Sequence, residues 1–324
     1  MAKAMKISSI DIVSSALNED ACIEEFLNRL EKVMRIIPRV AYRVIIIDNG
    51  STDETWQKIV RKSKEKPFVT GIQMSRTFSF DAALTCGLDH ANAECVVLMA
   101  SDLQDPPEII PQLLEEMKKS YDQVVVNISK RDSVPLPRRI LSRIFYRFAN
   151  SMTRGLIPQN VSDFRIMNRD MYIALRSLRE SHRFLRGLGA WVGFNTGVVT
   201  IERPPRFAGK SKWLSGSVWQ AVNQGLQGVF AHSTRLLQWL SSISFIVSAL
   251  ALLSLPLLIF FWFTNGVPFA GFGWLLTLTI LFFAVVMITL ATISLFIALI
   301  YEEVKERPLY IVKQIVTKGT AKTN

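Results

Sequence analysis

An uncharged stretch near the end of the chain restricts its possible folds more than any other feature. Between Arg235 and Glu302 the sequence contains no Asp, Glu, Lys or Arg. A helix that crosses a bilayer needs about 20 apolar residues, and the stretch divides at Thr264–Pro268 into two segments of sufficient length, Leu236–Phe263 and Gly271–Tyr301. Because nothing polar interrupts either segment as a soluble helix requires, we predict two transmembrane helices rather than two buried core helices.

Positive charge is concentrated shortly before this stretch. The 324 residues carry a formal charge of +11, yet Ser129–Lys212 alone holds 17 Lys and Arg against 5 Asp and Glu, a net +12. A basic block beside a membrane can bind lipid headgroups or a phosphorylated substrate. No nucleic-acid motif accompanies it, so we expect no nucleic-acid partner. Lys305, Arg307 and Lys313 follow the second segment, and the positive-inside rule then places both termini in the cytoplasm.

The first hundred residues alternate between strand and helix patterns. We predict strands at Ile10–Ala16, Tyr42–Ile47, Val69–Met74 and Cys95–Met99, and helices at Ile23–Ile37, after a cap at Thr52, and at Phe80–Ala91. This order indicates an α/β fold with a mainly parallel, doubly wound sheet. The predicted divisions are an α/β domain at 1–212, an amphipathic juxtamembrane segment at 213–235, two transmembrane helices at 236–303 and a cytoplasmic tail at 304–324.

A polar turn directly follows the fourth strand. Ser101–Asp105 interrupts an apolar run, and Pro106 and Pro107 prevent an immediate helix. In open α/β sheets, ligands bind at the carboxyl ends of the strands. Carboxylate and amide oxygens such as those of Asp102 and Gln104 suit Mg²⁺ or Mn²⁺ that carries a diphosphate. We interpret the turn as a metal site, although an Asp after a strand is also a common loop residue.

Five motifs are spread over the chain from Ile10 to about Tyr310: Ile47–Asp53 (IDNGSTD), Asp102–Glu108 (DLQDPPE), Ser162–Arg165 (SDFR), Arg203–Lys212 (RPPRFAGKSK) and Tyr301–Lys305 (YEEVK). Together they resemble the motifs of membrane-anchored family 2 glycosyltransferases of the polyprenyl-phosphate type. That group includes bactoprenol glucosyltransferases and dolichyl-phosphate mannose synthases.

The resemblance implies a GT-A catalytic domain followed by a two-helix transmembrane hairpin. It implies transfer of a sugar, with inversion, from a nucleotide sugar to a polyprenyl phosphate such as undecaprenyl or dolichyl phosphate. A UDP-sugar is favoured over a GDP-sugar, and Mg²⁺ or Mn²⁺ is the expected cofactor. The expected location is the cell inner membrane, where the protein contacts membrane lipids and the catalytic domain is cytoplasmic. The resemblance also favours a homo-oligomer.

The family motifs assign roles to individual positions of this sequence. The expected donor nucleotide-binding residues are Asn18, Glu19, Asp48, Asp53, Ser75 and Asp102. The expected metal ligands are Asp102 and Gln104. The expected acceptor phosphate-binding residues are Arg139, Ser142, Arg143, Arg206 and Lys212. The expected catalytic residues are Asp102, Asp105, Asp163 and Arg165. Two alternatives remain open: Asp48 as a turn-forming residue, and Asp163 as an ion-pair partner of Arg165 or Arg169.

The sequence departs from the family pattern at several positions, among them Ser15 and Leu17, which replace a common Pro and Tyr in the first motif. Ala100 stands where the family motif has a further Asp, and Asn49 stands where a second Asp is common. The missing carboxylate keeps open a second class of function, a catalytically weak or silent membrane scaffold or lipid-binding subunit. A polysaccharide synthase is a further alternative, but its Gln-x-x-Arg-Trp motif and longer membrane domain do not occur in this sequence.

Overall fold

The structure is a computed structural model that describes residues 7–129, 161–181, 183–202, 204 and 207, parts of 242–264, 271–318 and 320–323. The chain divides into two compact units. One unit comprises Met1–Gly228 together with Pro308–Asn324, and the other comprises Val229–Arg307. The first unit is therefore assembled from both ends of the chain.

The first unit contains a nine-stranded sheet in the order β7-β5-β6-β4-β1-β2-β3-β8-β9. Its strands are β1 (Ser9–Ala16), β2 (Ala41–Asp48), β3 (Val69–Met74), β4 (Cys95–Ala100), β5 (Gln123–Ile128), β6 (Val161–Asn168), β7 (Thr196–Ile201), β8 (Val312–Thr317) and β9 (Thr320–Thr323). Its helices are α1 (Ile23–Ile36), α2 (Thr55–Glu65), α3 (Phe80–His90), a 3₁₀ turn (Pro107–Ile109), α4 (Ile110–Met117), α5 (Arg169–Ser177) and α6 (Leu185–Trp191).

The centre of the sheet is parallel, as the sequence predicts. Strands β3, β2, β1 and β4 pair side by side in parallel. Side chains on both faces of β2 are buried from Val44 to Ile47, and the same holds for β4 from Cys95 to Met99. Apolar and largely β-branched runs suit this position because a parallel sheet is covered on both faces.

Antiparallel strands extend the sheet on both sides of this centre. Strand β6 pairs with β4, and β8 pairs with β3. The sequence predicts a cytoplasmic tail at 304–324, whereas the structure places 312–317 in the sheet. The close approach is possible because Gly71 has no side chain: a Cβ there would lie 2.9 Å from Val316 Cγ2. Val316 is buried beside Gly71, and Ile315 packs against the core cluster that contains Ile72 and Met74.

The second unit contains the long apolar helix α7 (Phe272–Val304). Within the described part of the chain, this is the one helix long and apolar enough to cross a membrane. Its half-buried residues recur every three or four positions, including Phe282, Val285, Thr289 and Thr292. Ser244 Oγ, in the preceding helical stretch, lies 2.6 Å from Thr289 Oγ1. Only parts of the first predicted transmembrane helix are described, so the two-helix hairpin stays a prediction, and 213–235 lies outside the described residues.

Candidate active site

The carboxyl ends of the parallel strands meet at one edge of the sheet. Ala16 at the end of β1 lies beside Asp48 at the end of β2, and Ser15 lies beside Ala100 at the end of β4. The loops that follow these three strands carry most of the candidate donor and metal residues. The structure therefore brings those loops together at the position where open α/β sheets bind ligands.

Hydrogen bonds attach the loop after β1 to the loop after β2. Asn18 N donates to Ser51 Oγ at 3.0 Å, and Thr52 N donates to Asn18 Oδ1 at 2.8 Å. Glu19 N donates to Thr55 Oγ1 at 2.9 Å. Asn18 has a φ of 49°, a left-handed conformation that Asn tolerates better than most residues. The two loops form one continuous wall, and Glu19 is largely buried within it.

Asp48 is completely buried at the end of β2. Its Oδ1 accepts from Ser51 N at 3.1 Å, and its Oδ2 accepts from Gln73 Nε2 at 3.3 Å. The first bond closes the turn at Gly50, whose φ of 76° lies in the left-handed region that favours glycine. This geometry favours the turn-forming alternative for Asp48, and a direct contact with a nucleotide stays a prediction.

Asp53 organises the start of α2. Its Oδ1 accepts from Thr55 N at 3.0 Å, and its Oδ2 accepts from Asp20 N at 3.4 Å. Burial acts to raise the pKa of Asp53, but the hydrogen bonds outweigh burial and hold this pKa below its usual value. Helix α2 begins at Thr55 after the N-cap residue Glu54. The predicted cap at Thr52 is therefore wrong: Glu54 occupies the N-cap position, and Asp53 before it accepts from the first N–H of the helix.

The loop after β3 completes this edge and contains residues that the sequence analysis did not single out. Ser75, an expected donor residue, is exposed, and its N donates to Ile311 O at 2.9 Å. Asn49 Oδ1 accepts from Phe78 N at 2.8 Å, and Asn49 Nδ2 donates to Phe78 O at 3.0 Å. Arg76 lies over the Phe78 ring, 4.0 Å from its centroid. No local sequence pattern reveals a side chain that binds the backbone of a distant loop.

The loop after β4 forms a tight turn around the candidate metal ligands. Gln104 N donates to Asp102 Oδ1 at 3.1 Å. Leu103 between them is buried with a φ of 61°. Ser101 Oγ donates to Ser15 O at 3.0 Å and ties the turn to β1. The turn therefore holds Asp102 and Gln104 together at the sheet edge.

Asp105 joins the same turn to strand β6. Its Oδ2 accepts from Ala100 N at 3.3 Å, and its Oδ1 accepts from Ser162 Oγ at 3.3 Å. The side chain is almost fully buried. Through these contacts Asp105 supports the loop after β4. The catalytic role that the family motif implies for Asp105 stays a prediction.

Asp163 on β6 forms an ion pair that the sequence analysis did not anticipate. Its Oδ1 accepts from Arg186 Nε at 2.7 Å, and its Oδ2 accepts from Arg186 Nη2 at 2.6 Å. Asp81 in the first turn of α3 lies near this pair, and its Oδ1 accepts from Leu185 N at 3.0 Å. Burial and the charge of Asp163 raise the pKa of Asp81 to about 6. Asp163 thus forms an ion pair, but its partner is Arg186 on α6 and not Arg165 or Arg169.

Arg165 lies beneath α6 and is almost completely buried. Its Nη1 donates to Leu185 O at 3.5 Å. Among the described residues, Nε and Nη2 have no hydrogen-bond partner. A Cβ at Gly189 would collide with Arg165 Nη1, so the guanidinium would have to move to accommodate a side chain there. Burial lowers the pKa of Arg165. The catalytic role expected for Arg165 stays a prediction.

The expected acceptor residues fall elsewhere in the chain. Arg139, Ser142, Arg143, Arg206 and Lys212 all lie outside the described residues. Their assignment to a lipid phosphate stays a prediction that rests on sequence.

Known proteins resemble this chain over most of its length. The family model described as glycosyl transferase family 2 matches residues 11–176. The chain is 32% identical to an uncharacterised glycosyltransferase from Synechocystis, over 94% of this chain and 95% of that protein. It is also 32% identical to a prophage-derived bactoprenol glucosyl transferase from Shigella flexneri, over 96% and 98% of the two chains.

Solved structures give more distant likenesses. Glucosyl-3-phosphoglycerate synthase from Mycobacterium tuberculosis, crystallised with Mn²⁺, UDP-glucose and phosphoglyceric acid, is 18% identical with a TM-score of 0.46. That match covers 68% of this chain and 79% of the other. TarS from S. aureus, crystallised with UDP-GlcNAc, is 15% identical with a TM-score of 0.42, over 69% and 66% of the two chains.

Proposed function

The chain belongs to glycosyl transferase family 2, is a glycosyltransferase and has the GT-A fold, and from this premise we propose that it transfers a sugar from a nucleotide sugar to a polyprenyl phosphate. The observation that carries the proposal is its likeness to a bactoprenol glucosyl transferase, which extends over nearly the full length of both proteins. A UDP-sugar is the proposed donor, and inversion at the anomeric carbon is the proposed outcome.

The donor side of the proposal is the sheet edge formed by the loops after β1, β2, β3 and β4. Polar groups there include Asn18, Glu19, Asp53 and Ser75. Carboxylate and amide oxygens can accept hydrogen bonds from a uracil N3–H or a ribose hydroxyl, which an apolar strand end could not do. We propose that these residues bind the nucleotide, and that Asp48 supports them from beneath.

The chemistry of the donor set fits a divalent metal that arrives with the nucleotide sugar. The described residues contain no group of three or more His, Cys, Asp or Glu that could hold a metal. Mg²⁺ is commonly bound by one or two carboxylates together with substrate phosphates, and Asp102 with Gln104 would supply the protein part. A bound metal would stabilise the charge of the departing nucleoside diphosphate.

The acceptor side rests on the basic block at Ser129–Lys212 and on Asp163. A phosphate monoester has a second pKa near 6, so the acceptor is largely a dianion at neutral pH and needs no strong base. Orientation and neutralisation of its charge then provide most of the catalysis. We propose that Arg206 and Lys212 hold the phosphate, and that Asp163, fixed by Arg186, orients the acceptor or a sugar hydroxyl.

The membrane arrangement that we propose is a hairpin with both termini in the cytoplasm. The unit containing α7 is inserted between two parts of the unit that forms the sheet, because β8 follows α7 and pairs with β3. Because the sheet cannot span the bilayer, we propose that the inserted unit crosses it an even number of times. The hydrogen bond between Ser244 and Thr289 supports a second helix beside α7.

Cysteine labelling in intact cells tests this topology. The native Cys22, Cys86 and Cys95 are buried, so they contribute little background. An impermeant maleimide should label Gly266→Cys, between the two helices, from outside. It should label Asn324→Cys only after permeabilisation, and labelling of Asn324→Cys in intact cells would contradict the proposal.

One assay separates the proposed function from its alternatives. Purified protein is incubated with UDP-sugars and GDP-sugars, with and without polyprenyl phosphate, and both the nucleoside diphosphate and the lipid product are measured. We expect nucleoside diphosphate release only with the lipid, together with a single-sugar product. A silent scaffold would bind lipid without release of nucleoside diphosphate, and a polysaccharide synthase would add several sugars.

Light scattering in detergent, with the detergent mass subtracted, tests the expected homo-oligomer.

A further inference from the structure

A row of polar side chains crosses the neighbouring strands β2, β3 and β8, close to the sheet edge formed by the loops after β1, β2, β3 and β4. Asp48 on β2 lies opposite Gln73 on β3, and Gln73 lies opposite Gln314 on β8. Gln314 Nε2 donates to Gln73 Oε1 at 2.8 Å, and Gln73 Nε2 donates to Asp48 Oδ2 at 3.3 Å. The row therefore links the strand after the long apolar helix to the carboxylate at the end of β2.

The direction of these hydrogen bonds is fixed by chemistry. Asp48 Oδ2 accepts from Gln73 Nε2, so Gln73 turns its NH₂ group towards Asp48. Its carbonyl oxygen then faces β8, and residue 314 must supply a donor. Gln314 does so, whereas a glutamate at the same position would present a second acceptor. The residue type at 314 thus determines whether the amide of Gln73 keeps the orientation that Asp48 needs.

The row continues from Asp48 to the loops at the sheet edge. Ser51 N donates to Asp48 Oδ1 at 3.1 Å, and Ser51 Oγ accepts from Asn18 N at 3.0 Å. The pairing of β3 with β8 is irregular between Gln73 and Met74, since Met74 lies opposite Val312. The register shift begins directly after the Gln73–Gln314 pair, and Gln314 lies in line with Gln73.

We propose that Gln314 is a positioning residue for the donor site. By fixing the amide of Gln73, it holds the Asp48 carboxylate and, through Ser51, the loop that contains Asn18. Its effect on donor binding rests on the proposed function, whereas its effect on the hydrogen-bond row does not. Gln314 itself does not need to touch the nucleotide.

A reversal of polarity tests the row directly. In Gln314→Glu, either Gln73 turns its carbonyl oxygen towards Asp48 or the new carboxylate faces an acceptor. The melting temperature in detergent should fall by about 2–4 °C. Gln112→Glu, at an exposed position of α4, adds the same charge without touching the row and should leave the melting temperature unchanged.

The double variant Asp48→Asn with Gln314→Glu should recover most of this loss. The amide introduced at position 48 can donate to Gln73 Oε1 while its own carbonyl oxygen still accepts from Ser51 N, and Gln73 can then donate to the carboxylate at 314. Both side-chain bonds of the row are kept with the opposite direction. Additive losses from the two single changes would overturn the proposed row, because independent sites add while coupled sites do not.

Titration with UDP tests the functional part. Gln314→Glu should weaken UDP binding about tenfold and leave the KM for polyprenyl phosphate unchanged, while Gln112→Glu should bind UDP like the wild type. If the losses in melting temperature from Asp48→Asn and Gln314→Glu are not additive but Gln314→Glu binds UDP like the wild type, the row exists and does not position the donor site. A wild-type protein that binds no nucleotide would instead refute the proposed function, and the double variant would still decide whether the row exists.

Discussion

Arg186 on α6 binds Asp163 on β6 through two parallel hydrogen bonds of 2.7 and 2.6 Å. A bidentate contact between guanidinium and carboxylate restrains orientation as well as charge. Asp163 is therefore a fixed anion, and its position depends on a helix that lies more than twenty residues later in the chain. This dependence makes Arg186 a test of whether the orientation of Asp163 matters for the reaction.

Arg186→Lys should lower kcat about tenfold to a hundredfold while changing the KM for the donor little. Lysine keeps the positive charge but not the planar pair of donors, and loss of a charge-assisted hydrogen bond costs about 1.5–3 kcal/mol. Arg179→Lys is a matched control. Arg179 holds Asp89, in the last turn of α3, with two hydrogen bonds of 2.8 and 2.9 Å, so the same kind of bidentate pair is changed at a different place. Equal losses of kcat in both variants would argue against a specific role for Asp163.

Asp81 should make the stability of the protein depend on pH. Its pKa is raised from 3.8 to about 6 by burial and by the charge of Asp163, so the folded state binds this proton more tightly than the unfolded state does. The contribution of Asp81 to stability should then fall as the pH rises from about 4 to about 6 and remain lower above that range.

Asp81→Asn should remove this dependence, because the amide carries no charge and its oxygen can still accept from Leu185 N. We expect stabilisation by about 1–2 kcal/mol at pH 7.5, allowing for solvent screening of a partly exposed group. Melting temperatures measured from pH 4 to 8 test this. Asp170→Asn, at an exposed position, is the control, and a melting curve for Asp81→Asn that still declines between pH 4 and 6 would contradict the assignment.

Metal binding should depend on the donor nucleotide because Ala100 replaces a carboxylate of the family motif and leaves Asp102 with Gln104 as the proposed ligands. Calorimetry should show weak Mn²⁺ binding to the protein alone and much tighter binding with UDP. Asp102→Ala should abolish the tight binding. Ala100→Asp restores the carboxylate that the family motif contains and should strengthen Mn²⁺ binding without nucleotide. Tight nucleotide-free binding that persists in Asp102→Ala would show that the metal is held elsewhere.

Arg206→Ala and Lys212→Ala should each weaken the use of polyprenyl phosphate about tenfold to a hundredfold while leaving UDP affinity nearly unchanged. The reason is the net charge of +12 on Ser129–Lys212, shortly before the apolar stretch where a lipid phosphate would arrive. Turnover against lipid concentration and UDP titration measure the two effects. Lys118→Ala, on an exposed surface of the sheet domain, is the control. Loss of UDP binding with normal lipid dependence would reverse the assignment of donor and acceptor sides.

The local patterns of the sequence predicted the centre of the fold well. Strand β3 has the predicted bounds, Val69–Met74. Strands β1 and β4 are each one residue longer than predicted at one end, and β2 is one residue longer at both ends. These strands are continuous apolar runs between polar turns, a signal that does not need tertiary context. The same signal placed Asp102 and Gln104 in the turn after β4.

Contacts between distant parts of the chain could not be predicted in the same way. Strand β8 is only partly buried, and its partner β3 lies far earlier in the sequence. The pairing of Asp163 with Arg186 depends on how α6 packs over β6. The double hydrogen bond of Asn49 to Phe78 likewise depends on the approach of two loops. Such pairs are determined by the tertiary fold, which residue spacing alone does not encode.

The late position of β8 has a consequence for biosynthesis. Gln73 and Gln314 pair although they are 241 positions apart, so the edge of β3 stays open while the intervening chain is translated. An open strand edge is a template for pairing with other chains. The nascent enzyme therefore needs protection until β8 leaves the ribosome, and a chain that ends before Val312 would have an aggregation-prone edge that its own sequence can no longer cover.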